Sequence, residues 1–295
     1  MQITLAQPRG FCSGVRRAVN ILTELTTTSH SQICVYHEIV HNKTIVESFT
    51  ARGVRFVDSL AEVPHDALVL FSAHGVSPAL RAEAAARGLT TVDATCPLVQ
   101  RLHRQVRSYA QKGYHIIFIG YAGHDEAVGT LGEAPDQMSL VSTQDDIARL
   151  SPPEHVPLVC LMQTTLLASF SRDMLDALRK RFPHLMVPNH CGICRATQEH
   201  QDAIRRLPFV PDLVLVVGSR TSSNSQRLLE VAREKGSDAL LIDTAEEIPL
   251  DRLTGHEHIV ITAGASAPES VVQRCVARLI DTFPDAEITP DKPGV

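Results

Sequence analysis

The sequence lacks tryptophan, long apolar runs and blocks of like charge, and each absence narrows the range of functions. Aromatic residues make up 4% of the 295 residues, so a core must be built from Val, Leu, Ile and Ala. No apolar run approaches the roughly 20 residues of a membrane-spanning helix, so no membrane span is expected. The formal charge is −5 and no Lys or Arg block is present that would follow a phosphate backbone, so nucleic acid is not an expected partner.

The cysteine count and the first residues both indicate a reducing compartment. Seven cysteines is an odd number, which disfavours a disulfide framework and favours reduced thiols or metal ligands. Residues 1–6 lead directly into a predicted strand, without the basic region and apolar segment that are typical of an export signal. We therefore expect a cytoplasmic protein.

Short apolar runs, each followed by a polar turn and a segment of helical periodicity, recur along the chain and predict an α/β fold. The runs are mostly continuous rather than alternating in hydrophobicity, which is typical of parallel sheets covered on both faces. Strands are predicted at residues 2–6, 33–36, 67–71, 88–92, 115–119, 156–162, 213–217 and 258–262. Helices are predicted at residues 15–25, 78–86, 97–112, 170–182, 225–235 and 268–282.

Three cysteines at strand-to-helix junctions divide the chain into blocks of comparable size. We interpret these blocks as three small α/β units at residues 14–96, 97–193 and 194–281, the last joined by the strand in residues 1–13. Residues 282–295 form a proline-containing tail that needs no fixed structure.

The three junction cysteines are Cys12, Cys96 and Cys194. The positive end of a helix dipole favours a thiolate at the helix start, which is the form that a metal ligand needs. Three such thiolates suit one iron–sulfur cluster, and a zinc site completed by a histidine is equally compatible with the spacing. Cys191 and Cys194 also form a C-x-x-C pair, which is typical of a redox dithiol or half a zinc site. The cysteines within apolar segments are predicted to be core residues: Cys34, Cys160 and Cys275.

Polar residues follow the predicted strands, where open α/β sheets bind ligands. His41, His74 and His124 each lie in such a turn, and Ser222, Ser223, Asn224 and Ser266 precede helices, where hydroxyls and free backbone N–H groups bind phosphate. Together they predict a pocket for a strongly anionic group. Taken singly, each serine and Asn224 is better explained as a helix N-cap, and each histidine is equally well explained as a turn residue.

Glu126 and Thr164 are the candidate proton-transfer residues. Glu126 lies two residues after His124 in a glycine-flanked loop, so it is either a proton donor or an acid in the first turn of a helix. Thr164 follows a strand, where it either binds a substrate hydroxyl or water or has a structural role.

Nine motifs, in this order, resemble the 4-hydroxy-3-methylbut-2-enyl diphosphate reductase (IspH/LytB) family over residues 1–280. They are PRGFCSGV, HEIVHN, SAHGVS, DATCPLV, GHDEAVGT, QTTL, ICRAT, GSRTSSNS and TAGASAP. The resemblance implies a trefoil-like arrangement of three α/β units around a central cavity. It also implies the last step of the methylerythritol phosphate route to isoprenoids, the two-electron reductive dehydroxylation that yields isopentenyl and dimethylallyl diphosphate.

The resemblance further implies a cofactor and a role for each motif residue. A 4Fe-4S cluster is held by Cys12, Cys96 and Cys194, with one iron left open for the substrate hydroxyl. Proton transfer is assigned to Glu126 and Thr164, and the electron donor is a flavodoxin or ferredoxin. The substrate-binding residues, of which His124 also lines the reacting end, are His41, His74, His124, Thr164, Ser222, Ser223, Asn224 and Ser266.

The chain departs from the family pattern at several places. Arg16 replaces an acid, Cys191 adds a thiol, and Asp125 replaces a commoner proline, which we expect to loosen its loop. The segment after the last helix is also shorter than in many members. Three alternatives therefore stay open: a paralogue with a shifted substrate, a zinc-dependent hydrolase that uses the same cysteines, and a non-catalytic sensor built on Cys191 and Cys194.

Overall fold

A computed structural model describes residues 1–189 and 192–290, and its framework is three parallel β-sheets with helices. Every pairing between the strands of these sheets is parallel. The predicted α/β class with parallel sheets is therefore confirmed. No helix in residues 1–189 and 192–290 has the length and apolarity needed to cross a membrane.

Strands and helices alternate along most of the chain. The strands are β1 (Gln2–Leu5), β2 (Ile33–Tyr36), β3 (Arg55–Val57), β4 (Leu68–Phe71), β5 (Thr90–Asp93), β6 (His115–Ile119), β7 (Met138–Val141), β8 (Leu158–Met162), β9 (Leu213–Val217), β10 (Asp238–Ile242), β11 (His258–Ala263) and β12 (Glu287–Pro290). The α-helices are α1 (Ser13–Thr28), α2 (Lys43–Thr50), α3 (Pro78–Ala86), α4 (Pro97–Gln111), α5 (Asp125–Leu131), α6 (Gln144–Arg149), α7 (Ala168–Arg181), α8 (Arg195–Arg205), α9 (Ser223–Glu234) and α10 (Glu269–Thr282). Short 3₁₀ helices lie at Leu60–Glu62, Pro135–Gln137, Ala245–Glu247 and Leu250–Leu253.

The chain divides into two compact units. The first contains Met1–Val15, His41–Ser48 and the chain from Arg195 onwards, and its sheet has the order β10-β9-β11-β1-β12. The second contains Arg16–Val40 and Phe49–Cys194, and it holds two sheets, with orders β3-β2-β4-β5 and β7-β6-β8. The finer division of the chain into three units remains a prediction.

The central strands form because their residues are apolar without interruption. All five residues of β6 and all five of β9 are buried, as expected for strands covered on both faces. Cys34 on β2, Cys160 on β8 and Cys275 on α10 are fully buried, so their prediction as core residues is confirmed. Burial raises the pKa of the Cys275 thiol to about 11, and that of Cys34 is also raised.

Sequence patterns missed elements that are short or lie at sheet edges. These are α2, α5 and α6 among the helices, and β3, β7, β10 and β12 among the strands; α8 begins directly after Cys194, where the sequence indicated a helix start without giving its bounds. β12 lies in the segment that was expected to need no fixed structure, yet it pairs with β1 in the register Gln2↔Glu287 to Leu5↔Pro290. Pro290 is compatible with this position because β12 is an edge strand. The remainder of the tail, residues 291–295, lies outside the described residues.

His200 on α8 is a buried imidazole in the first unit. Its residue is 3% exposed, and its Nδ1 has no hydrogen-bond partner in residues 1–189 and 192–290. Burial disfavours the charged ring and lowers the pKa of His200 from 6.5 to about 4. The folded state therefore binds a proton less readily at this site than the unfolded chain does.

We predict that the protein loses stability as the pH falls from 6.5 towards 4. The stabilisation from neutral His200 is complete above the unfolded pKa and decreases by up to about 3 kcal/mol as the pH approaches the folded pKa. Denaturant midpoints at pH 7 and pH 4.5 should differ less in His200→Gln than in the parent. The exposed His30→Gln is the control, and an equal pH dependence in parent and His200→Gln would contradict the prediction.

Candidate functional site

The sequence-predicted site residues lie in both units, and each group is described within its own unit. The first unit contains Cys12, His41, Ser222, Ser223, Asn224 and Ser266. The second contains His74, Cys96, His124, Glu126, Thr164 and Cys194. Almost all of them occupy loops or first helical turns that follow parallel strands, where ligands bind in open α/β sheets.

In the first unit, the loops after β1 and β11 run side by side. Cys12 N donates a hydrogen bond to Ala265 O at 3.2 Å, and Gly10 N donates to Ala263 O at 3.1 Å. Cys12 itself is partly exposed and directly precedes α1. Its Sγ accepts from Val15 N at 3.5 Å, so an N–H group of the first helical turn faces the sulfur and favours its anionic form.

Ser266, Ser222 and His41 come together in the same unit. Ser266 Oγ donates to His41 O at 2.9 Å and lies 3.3 Å from Ser222 Oγ. Ser222 is the N-cap of α9, since its hydroxyl accepts from Ser225 N at 3.3 Å. The hydroxyl that caps the helix is therefore also a member of the polar cluster, so the two interpretations of Ser222 are compatible.

The segment that carries His41 is anchored by its next two residues. Lys43 N donates to Ser219 Oγ at 2.9 Å, and Ser219 Oγ in turn donates to Asp243 Oδ1. Asn42 is 2% exposed, and its Oδ1 accepts from Ile45 N at 3.0 Å in the first turn of α2. These bonds fix the backbone on which His41 is carried, and sequence reasoning had assigned no role to Ser219 or Asn42.

Asn224 is buried in the first turn of α9 with its amide group unsatisfied. The residue is 4% exposed, and neither Nδ2 nor Oδ1 has a hydrogen-bond partner in the described chain, 1–189 and 192–290. Leaving a buried polar group without a partner costs about 1–3 kcal/mol. An amide donor held in this way at a helix N-terminus suits the oxygen of a bound anion.

The start of α9 approaches the sheet so closely that two positions must be glycine. A Cβ on Gly218 would lie 2.2 Å from Ser225 Oγ, and a Cβ on Gly264 would lie 2.1 Å from it. Gly218 follows β9 and Gly264 follows β11, two adjacent strands. These glycines therefore allow the N-terminus of α9 to lie directly over the strand ends.

In the second unit, Glu126 and Thr164 form a tight pair. Glu126 is 2% exposed; its Oε1 accepts from Thr164 N at 2.6 Å and its Oε2 from Thr164 Oγ1 at 2.8 Å. The carbonyl oxygen of Thr164 accepts from Cys194 N at 2.9 Å. The carboxylate, the threonine and the cysteine are therefore linked in a single hydrogen-bonded chain.

His124 is the N-cap of α5, and its Nδ1 accepts from Glu126 N at 3.1 Å. An accepting Nδ1 carries no proton, so the neutral ring carries its proton on Nε2. The rings of His74 and His124 meet edge to face, with centroids 5.8 Å apart. Glu126 is thus both a first-turn helix acid and part of a polar cluster with two histidines.

Cys96 is the N-cap of α4, with Pro97 at the first helical position. Its backbone N donates to Ala73 O at 2.9 Å, which joins the Cys96 turn to the loop that carries His74. Arg17 donates to Thr95 O at 3.2 Å beside it. Cys194 similarly precedes α8 directly, so Cys96 and Cys194 both lie at helix starts within this unit.

Asp125 corrects an expectation from the sequence. It was expected to loosen its loop, yet it is the first residue of α5 and its Oδ1 lies 2.8 Å from His37 Nδ1. This hydrogen bond is the main cause of a raised pKa for His37. Sequence reasoning missed the pair because the two residues are 88 positions apart; the only signal was that His37 begins the HEIVHN motif.

The cysteines of the described chain fall into two chemical groups. Cys12, Cys96 and Cys194 are partly exposed at helix starts, whereas the three in the core are fully buried, and raised pKa values disfavour the thiolates of Cys34 and Cys275. Only the first group therefore fits a metal centre. The predicted C-x-x-C pair includes Cys191, which lies outside the described residues.

Parallel sheets that carry helix-start cysteines, histidines and a buried carboxylate in their strand-end loops are typical of an α/β enzyme. The chain belongs to the LytB family: residues 3–280 match the family model described as LytB protein. Two relatives named 4-hydroxy-3-methylbut-2-enyl diphosphate reductase support this. The protein of Rhodopirellula baltica is 46% identical over 288 residues, which cover 98% of this chain and 90% of the relative. That of Dechloromonas aromatica is 47% identical over 279 residues, covering 95% and 91%.

Two solved structures have the same fold. The E-1-hydroxy-2-methyl-but-2-enyl-4-diphosphate reductase of Plasmodium falciparum is 34% identical and superimposes with a TM-score of 0.95, covering 98% of this chain and 91% of that one. A second structure, described as the terminal enzyme of the non-mevalonate pathway, is 28% identical with a TM-score of 0.68 and covers 95% of this chain and 100% of that one.

Proposed function

We propose that this protein reduces 4-hydroxy-3-methylbut-2-enyl diphosphate to isopentenyl and dimethylallyl diphosphate. Its relatives bear the name of that reductase over nearly the full chain. The observation that carries the proposal is the buried Glu126 carboxylate, held by Thr164, whose carbonyl accepts from the backbone of Cys194. This arrangement links a group suited to proton transfer to the backbone of a cysteine suited to a metal.

Cys12, Cys96 and Cys194 would hold a 4Fe-4S cluster with one iron open to the substrate hydroxyl. Support comes from their partial exposure at helix starts and from the contrast with the buried cysteines. When bound, the cluster supplies single electrons and Lewis acidity. The protein supplies the three thiolates and the hydrogen-bonded carboxylate beside Cys194.

The diphosphate would be bound by hydroxyl, amide and imidazole donors. Asn224 supports this most directly, because its buried amide lacks a partner in the described chain and a phosphate oxygen would satisfy its N–H donor. The N-terminus of α9 adds backbone donors and the positive end of a helix dipole. The proposed binding residues are His41, His74, His124, Thr164, Ser222, Ser223, Asn224 and Ser266.

Glu126 would donate the proton that converts the departing hydroxyl to water. The overall reaction breaks the allylic C–O bond, takes up two electrons and two protons, forms one C–H bond and releases one water molecule. Thr164 holds both carboxyl oxygens of Glu126, which fixes their direction, and His124 caps the helix that carries them. Such positioned proton transfer typically contributes about 10²–10⁴-fold to rate.

The alternatives differ from this proposal in measurable ways. A zinc-dependent hydrolase would use the same thiolates but contain no iron, and a paralogue with a shifted substrate would reduce another allylic diphosphate. A sensor built on Cys191 and Cys194 would lose its response when Cys191 is replaced, whereas the reductase would keep its activity. The names of the relatives support the reductase and neither the hydrolase nor the sensor.

Anaerobic purification of cysteine variants tests the cofactor. Cys96→Ser should lose most of its iron, acid-labile sulfide and visible absorbance, because one of the three proposed thiolates is removed. Cys34→Ala is the matched control from the core of the same unit and should retain all three. Zinc in place of iron in the parent, or an unchanged iron content in Cys96→Ser, would refute the cluster.

Substitution of the carboxylate pair tests the chemistry. Glu126→Gln should lower kcat at least 100-fold with a small change in KM, since it keeps the side-chain volume and removes the acid. Thr164→Val removes the hydroxyl donor to Glu126 and should lower kcat, whereas Thr164→Ser keeps that donor and should retain most activity. If Glu126→Gln reduced the substrate as fast as the parent, Glu126 would have no part in the mechanism.

A flavodoxin or ferredoxin is the proposed electron donor, and α4 offers a surface that suits one. The helix contains no acidic residue, although the whole chain has a net charge of −5. Arg101 and Arg104 are exposed, as is the apolar Leu98 at 41%, two residues after Cys96. An exposed apolar residue flanked by cations fits an acidic electron carrier.

Charge reversal on α4 should therefore slow turnover with a protein reductant but not turnover with a small-molecule reductant. The double variant Arg101→Glu/Arg104→Glu should slow turnover with reduced flavodoxin at least tenfold at low salt and leave turnover with dithionite and methyl viologen unchanged. Arg172→Glu/Lys180→Glu, on the exposed face of α7, is the control. Equal rates with flavodoxin in both double variants would exclude α4 as the donor surface.

A further inference from the structure

Asp125 lies between two histidines of the second unit. Its Oδ1 is 2.8 Å from His37 Nδ1, and its Oδ2 is 3.7 Å from His74 Nδ1. The side chain of Asp125 is 18% exposed and that of His74 is 15% exposed. One carboxylate therefore faces the Nδ1 edge of two imidazoles in a largely buried setting, where charge interactions are stronger than in water.

The helix that carries Asp125 packs closely against the loop that carries His74. A Cβ on Gly129 would lie 2.9 Å from Gly75 O, and a Cβ on Gly132 would lie 2.4 Å from Ser77 Cβ. The two glycines are three residues apart and share one face of the α5 end. Close packing of α5 on residues 75–77 thus sets the distance between Asp125 and His74.

His37 is also held in place. It has a positive φ of 55° at the end of β2, and its ring stacks on Tyr36 with centroids 4.1 Å apart. The hydrogen bond to Asp125 raises the pKa of His37 and so favours the protonated ring, the form that balances the charge of the carboxylate. This matters because an unbalanced carboxylate would repel an anionic ligand bound nearby.

The Nδ1 edge of His74 is directed towards Asp125 and towards Ser72 Oγ, which lies 3.4 Å away. The other ring nitrogen, Nε2, lies on the opposite edge of the imidazole. We propose that Asp125 is a positioning residue that holds the Nδ1 edge of His74 and so directs Nε2–H at the diphosphate of the substrate. The inference rests on the proposed function, since it assigns His74 to the diphosphate.

The family resemblance implies proline at this position, which has no carboxylate. Asp125 thus provides this chain with a means of orienting His74 that the commoner residue lacks. A carboxylate beside Nδ1 favours the imidazolium form, which carries an N–H at both nitrogens, so Nε2–H becomes a donor whose direction is set by the contact at Nδ1. The expected contribution is to substrate binding rather than to the chemical step.

The test compares Asp125→Asn and Asp125→Pro with the parent holoenzyme, using dithionite and methyl viologen as the reductant. Both variants should raise KM about tenfold and leave kcat within about twofold, as expected when binding is lost equally in ground and transition states. The dissociation constant of inorganic pyrophosphate, measured by calorimetry, should rise by the same factor. Asp145→Asn, which removes another first-turn helix acid, on α6, should change neither quantity.

A double-mutant cycle tests whether Asp125 affects substrate binding through His74. If Asp125 acts through His74, adding Asp125→Asn to His74→Gln should change neither KM nor pyrophosphate affinity further. A full additional effect in the His74→Gln background would overturn the proposal, as would parent-like KM and affinity in Asp125→Asn. If the role of Asp125 is refuted in this way, the proposed function still holds as long as the parent reduces the substrate and Glu126→Gln does not.

Discussion

The two hydrogen bonds between Glu126 and Thr164 are the interaction on which the candidate site of the second unit depends. A buried carboxylate is costly unless its oxygens are satisfied, and here a single residue satisfies both of them, through its backbone N–H and its hydroxyl. The carbonyl oxygen of the same threonine accepts a bond from Cys194 N, so the backbone at Cys194 is tied to the residue that holds the acid. The candidate acid and the backbone of the candidate ligand are thereby joined within one unit.

Most of the candidate site residues of this chain lie at helix N-termini, which favour anionic groups. Cys12, Cys96, Cys194, His124 and Ser222 all occupy or directly precede the first turn of a helix. Each site combines backbone N–H groups with the positive end of a helix dipole, which favours anionic groups such as phosphate oxygens. Parallel strands make this possible, since each β-to-α transition within a sheet occurs at the same edge.

The site of the first unit is assembled at a cost to stability. Asn224 and Ser225 are buried with side-chain atoms that lack partners in residues 1–189 and 192–290, and two glycines are required for α9 to approach the strand ends. A protein selected for stability alone would replace such groups by apolar ones of similar size. Their presence beside Ser222 and Ser266 is consistent with selection for a ligand.

The sequence alone determined the parallel α/β class, because continuous apolar runs such as that of β9 report burial on both faces. It also separated the core cysteines from those at helix starts, since a thiol within an apolar run differs from one after a polar turn. The tertiary structure decided the edge strands, β12 in the tail, and contacts such as Ser266 with His41 and Asp125 with His37, which are 225 and 88 residues apart. Local periodicity reports how each segment is buried, but it carries no information about which distant segment lies beside it. The pairing of polar side chains in this protein depends on which distant segments are neighbours, so only the tertiary structure could decide it.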